Sequence, residues 1–156
     1  MSLPRENVQT YPRPPSLDPV PARLQVLLGG AVVADTTAGL RVCETHHAPT
    51  YYFPPEDVAA ELIPAGGGSL CEWKGRARYF DVALGGATAR RAAWAYPTPT
   101  PRFAALAGYL AFYPGAFDAC RVGDMPVTPQ PGGFYGGWVT ENLDGIVKGR
   151  PGTEFW

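Results

Sequence analysis

The sequence predicts a mostly β fold: a single compact domain of antiparallel hairpins, built as a small sandwich, a barrel or a tent-like arrangement, with two short helices and irregular N- and C-terminal arms. Three observations predict it. Two Gly-Gly pairs, Gly29-Gly30 and Gly85-Gly86, each stand between runs of β-favouring residues. Glycine (19) and proline (18) together take about a quarter of the 156 residues, roughly twice the usual share, so elements must be short and turns many. Hydrophobic residues reach 46%, enough to bury a core at a length suited to about one domain.

The chain divides into a Pro-rich arm (1–23), a β-rich core (24–128) and a C-terminal extension (129–156) rich in glycine, proline and aromatic residues. Six prolines (Pro4, Pro12, Pro14, Pro15, Pro19 and Pro21) fix φ and remove backbone donors, so the arm is expected to lie extended and to form neither helix nor central strand. Leu24–Leu28 and Ala31–Asp35 flank the first glycine pair, and Arg78–Leu84 and Ala87–Ala89 flank the second. Glycine supplies the positive φ of a two-residue hairpin turn, which predicts a hairpin at each. A weaker hairpin is expected at Ala119–Val127 around Gly123-Asp124, a strand at Leu40–Thr45, and a buried strand at Tyr109–Tyr113. Pro55–Leu62 opens with proline and acids, and Thr100–Leu106 with threonine and proline. Both are helix-start signals. The aromatic–proline steps at Tyr11, Phe53, Tyr96 and Tyr113 are candidate cis bonds.

Composition also narrows function. Thirteen basic and fourteen acidic residues give a net charge of −1, which disfavours nucleic acid and anionic membranes as partners. No apolar run reaches the ~20 residues of a membrane span, and the first residues lack a signal peptide's apolar segment. Three cysteines, an odd number, fit a reducing, cytoplasmic setting.

Three blocks, Pro49–Val58 (PTYYFPPEDV), Cys71–Tyr79 (CEWKGRARY) and Ala93–Pro97 (AWAYP), together with Ala111–Pro114 and Phe134–Trp138, resemble the family catalogued as domain of unknown function 427. The resemblance implies a small β-rich bacterial domain. The family also carries a nucleotidyl-transfer label. The sequence offers no motif for it: the acids are scattered, and neither a P-loop nor a G-x-G-x-x-G after a strand is present.

Candidate site residues come from residue types and alternation. If residues 71–82 are one strand, Cys71, Trp73, Gly75, Ala77 and Tyr79 face one side and Glu72, Lys74, Arg76 and Arg78 the other. A row of cations beside an acid suits a phosphate or carboxylate, although a solvated sheet face looks the same. Glu44 and Glu72 form a candidate carboxylate pair, with a salt bridge from Glu44 to Lys74 or Arg78 the simpler outcome. Tyr52 and Trp94 add rings able to line a pocket. The candidate ligand-binding set is therefore Glu44, Tyr52, Glu72, Lys74, Arg78 and Trp94. Cys43, His46 and His47 lack the spacing of a zinc site, so neither metal nor cofactor is expected, and Cys43 and Cys120 read as small buried hydrophobes. Cys71 paired with His46 or His47 is a weaker nucleophile–base alternative. Two functions follow: a small anionic or aromatic ligand in a polar-aromatic pocket, or an interaction module whose arms dock on a partner or a second copy as a homodimer.

Overall fold

A computed structural model describes residues 3–71, 73–132 and 135–153. The strands in chain order are β1 (Glu6–Asn7), β2 (Ser16–Val20), β3 (Leu24–Leu28), β4 (Ala31–Thr36), β5 (Gly39–Cys43), β6 (Thr50–Tyr52), β7 (Glu61–Cys71) and β8 (Gly75–Leu84). There follow β9 (Ala87–Ala95), β10 (Leu110–Phe112), β11 (Ala119–Val122), β12 (Met125–Pro126), β13 (Thr128–Pro129), β14 (Trp138–Val139) and β15 (Leu143–Asp144). The chain is mostly β, in mainly antiparallel sheets that do not close into a barrel.

The glycine-pair hairpins form as the sequence predicts. Gly29 and Gly30 have φ of 60° and 80°, and Gly85 and Gly86 have 57° and 86°. Residues with a Cβ resist this left-handed pair of conformations, which matches the right-handed twist of the flanking strands. The hairpin β3–β4 continues into a four-stranded sheet ordered β12-β11-β3-β4, and β8–β9 into one ordered β10-β9-β8-β7. A third sheet, β2-β5-β6, joins the second where Phe53 and Leu110 exchange both backbone hydrogen bonds (2.7 and 2.9 Å). The two together make one broad antiparallel surface. Pro19 lies in β2, an edge strand, where the missing donor costs no ladder bond.

Alternation sorts side chains to the two faces of that surface. Tyr51 and Phe53 flanking Tyr52, Ala93 and Ala95 flanking Trp94, and Leu110 and Phe112 flanking Ala111 all enter the main core with Leu24, Val26, Val33 and Val122 of the other sheet. Tyr52, Trp94, Tyr96 and Ala111 turn the opposite way into a second cluster with Phe103 and Leu106. Trp138, fully buried, reaches the main core from the C-terminal extension and donates from Nε1 to the Phe112 carbonyl (3.0 Å). The extension also meets the N-terminal arm: β1 pairs in parallel with β15, and Arg5 and Asp144 form an ion pair. Arg41 grips the Glu6 carboxylate with two hydrogen bonds (2.9 and 2.6 Å).

Four expectations are corrected. Residues 71–82 are not one strand. β7 and β8 form a hairpin, Trp73 and Lys74 occupy its turn, and Gly75 follows with φ of 111°. Thr100 holds that turn, its backbone N–H donating to Lys74 O (3.0 Å) and its hydroxyl to Trp73 O (2.6 Å) rather than capping a helix. Pro55–Leu62 is helical only over Pro55–Asp57, because the edge of β4 captures the chain: Val58 bridges Ala34, and Ala59 N–H donates to Val33 O (2.7 Å). Sheet pairing there outweighs the propensity of one helical turn. The cis bond is Arg13–Pro14, not an aromatic–proline step.

If the extension is part of the core, Trp138→Ala lowers unfolding free energy by about 3–5 kcal/mol in urea titration. A loss below about 1 kcal/mol would make residues 138–147 a peripheral attachment.

Candidate functional site

The outward face of the broad surface is covered by the 3₁₀ segment Pro101–Leu106 and by a strap whose described residues are 130–132 and 135–137. Under the strap lies a recess of about 260 Å³. Tyr52 of β6 and Trp94 of β9 wall it with Tyr96, Lys74 enters from the β7–β8 turn, and Glu44 and His47 enter from the segment after β5. The strap makes the remaining wall with Gln130, Tyr135 and Gly136. A Cβ at Gly136 would fall inside the Trp94 indole, and one at Gly137 would collide with Gln130 Oε1, so only glycine lets this backbone lie so close.

Gln130 fastens the strap. It is buried, its Oε1 accepts from Ala48 N–H (3.0 Å), and its amide nitrogen donates to Lys148 O (3.0 Å). That nitrogen's second hydrogen faces His47 Nδ1 at 3.2 Å, so Nδ1 accepts and the imidazole carries its proton on Nε2. Burial, followed by the nearby charges of Lys148 and Lys74, pushes the His47 pKa down to about 4.

Tyr52 is 1% exposed, and its hydroxyl has no hydrogen-bond partner of ordinary geometry, although Tyr96 and Trp94 are its neighbours. Burial raises its pKa well above the phenolic value. The Lys74 ammonium stands over the Tyr96 ring, 5.7 Å from its centroid. Among the described residues the ion pairs are Arg5–Asp144, Arg23–Asp35 and Arg41–Glu6, so neither Glu44 nor Lys74 is in one.

Of the residues singled out from the sequence, Glu44, Tyr52, Lys74 and Trp94 line this one recess. Glu72 lies outside the described residues. Arg78 is exposed on β8 and is not in the lining. Lys74 reaches the recess through the turn and not by alternation, and Trp73 packs against the same aromatic cluster. Cys71 and His47 share the lining without a hydrogen bond between them. Cys43 and Cys120 are buried, and burial lifts their thiols to about 11 and about 12. Among the described residues no group of three His, Cys, Asp or Glu side chains could hold a metal ion. Gln130 and Tyr135, missed in the sequence, come from the strap.

Two outcomes follow. Tyr52→Phe removes a desolvated hydroxyl without a partner, so the ligand-free protein keeps or gains thermal stability. A loss of about 1 kcal/mol or more would reveal a structural hydrogen bond. His47 remains neutral above about pH 5 in an NMR titration, with the Nε2–H tautomer. Because its folded pKa lies below its unfolded value near 6.5, this group's stabilisation is full above that value and is lost as pH falls toward about 4. An inflection near 6.5 would contradict both the burial and the tautomer.

No curated protein matches the chain. The model of the family described as domain of unknown function (DUF427) matches residues 16–123, a span that carries the main sheets together with Glu44, Tyr52, Lys74 and Trp94 and ends before the strap. By that match over more than half its length, the chain belongs to the DUF427 family.

Proposed function

We propose that the recess binds a small anionic, aromatic ligand. The observation that carries this reading is the convergence of a lysine, in no ion pair with another described residue, with Tyr52, Trp94 and Tyr96 around one cavity. Rings accept a flat ligand on their faces and edges, and an ammonium in a partly dry recess attracts a carboxylate or phosphate more strongly than one in bulk water. Glu44 in the same wall disfavours a second anion within this inner recess and accepts from a hydroxyl or amino group, so an aryl acid carrying a donor suits it. Tyr52's partnerless hydroxyl beside the cavity agrees with a polar guest, since buried polar groups are ordinarily satisfied.

The alternative, in which the arms dock on a partner, has less support. Their described residues are engaged within the chain, through Trp138 in the core, the β1–β15 pairing and the Gln130 hydrogen bonds.

Calorimetric titration with 4-hydroxybenzoate and phenyl phosphate tests the reading. The wild-type protein binds at least one of them at a single site. Lys74→Ala weakens that binding about tenfold or more, the loss of one charge-assisted hydrogen bond, with a nearly unchanged melting temperature. Absence of binding to both probes, or a large stability loss in Lys74→Ala, overturns it.

A further inference from the structure

A second recess, of about 470 Å³, adjoins the first and shares Tyr79, Tyr113, Gln130 and Tyr135 with it as common walls. Its cation is Arg91, and the backbone is distorted to place it there. Phe80 pairs with Ala93 and Val82 with Ala89, so Asp81 alone opposes the three residues from Arg90 to Ala92. This is a bulge, a device that re-aims a side chain out of strand alternation. Within it Arg91 has φ of 46°, a left-handed conformation unfavourable to any residue with a Cβ. Asp81 Oδ1 braces it by accepting from Arg91 N–H at 2.8 Å.

The bulge lays the Arg91 guanidinium over the face of Tyr79, Cζ 4.5 Å from the ring centroid, on the wall that both recesses share. Tyr79 is fixed from the other side by its hydroxyl contact with Ser69 (2.7 Å). Arg91 Nη1 donates to Gly66 O, its one side-chain hydrogen bond among the described residues. A guanidinium has five N–H donors in a planar fork, so a face remains for a carboxylate or phosphate. The inner recess alone falls below the ~300 Å³ at which small-molecule sites begin, and the adjoining space brings the groove within their range.

We propose that the outer recess is an anion subsite of the same groove, so that the ligand is an elongated aryl dianion whose ring lies against Trp94 with one anionic group at Lys74 and a second, a carboxylate or phosphate, at Arg91. This rests on the reading of the inner recess given above.

Two probes built on the same biphenyl core separate the claims: biphenyl-4-carboxylate and biphenyl-4,4′-dicarboxylate. The wild-type protein binds the dianion about tenfold or more tightly than the monoanion. Arg91→Asn, chosen because asparagine tolerates a positive φ, and Arg91→Met, which keeps much of the stem, both abolish that preference while leaving monoanion affinity unchanged. Melting temperatures measured alongside establish that each variant is folded. Equal affinities in the wild-type protein, or a preference that survives in either folded variant, overturn the subsite and leave the inner recess standing. Failure of both biphenyl probes, together with failure of 4-hydroxybenzoate and phenyl phosphate, overturns both.

Discussion

The broad sheet surface is apolar on both faces, and the rest of the structure follows from covering them. Period-two alternation in β6, β9 and β10 sends Phe53, Ala93, Ala95, Leu110 and Phe112 to one side and Tyr52, Trp94 and Ala111 to the other. The first side is closed by the sheet β12-β11-β3-β4, whose aliphatic residues complete a dry core. The second has no sheet to meet. A short 3₁₀ segment and a strap of backbone cover it in part, and rings of tyrosine and tryptophan suit such a half-covered surface because each joins an apolar body to a polar tip. The recess is the part of that face left open.

The strap stays over the opening through polar satisfaction more than through area. Gln130 reaches Ala48, Lys148 and His47 with one side chain, tying the strap to the segment after β5 and to the C-terminal region. Trp138 then carries the chain from the recess into the main core. The cavity wall and the protein's stability are coupled at this point, because Gly136 and Gly137 lie between those two anchors and press on Trp94 and Ala48.

Much of the fold was legible because its signals are local. Each Gly-Gly pair announces a turn whose φ values only glycine accepts readily, and the strands beside it read from their β-branched and alternating residues. The β7–β8 hairpin was not legible: the alternation of Cys71, Trp73, Ala77 and Tyr79 continues across its turn, and the single Gly75 gives a weaker signal than a pair. Sheet order was hidden as well, since β5 pairs with β2 and β6 while its sequence neighbour β4 pairs with β3. For the site, residue type identified Glu44, Tyr52, Lys74 and Trp94, although Lys74 reaches the recess from a turn and not by strand alternation. Gln130 could not be found so, because its partners lie 18 to 83 residues away. A signal for Arg91 did exist: Arg90-Arg91 breaks the alternation of β9 between Ala89 and Ala92, where a bulge is the natural resolution.

Chemical-shift mapping of isotope-labelled protein titrated with 4-hydroxybenzoate addresses most directly whether the half-covered face is a binding site. The account predicts saturable shifts gathered in residues 44–52, 73–79, 94–96, 130–132 and 135–137, segments remote in sequence that each contribute to the lining of this recess. Shifts gathered instead along the paired arms at residues 3–11 and 143–147, or a spectrum unchanged to saturation, would contradict it.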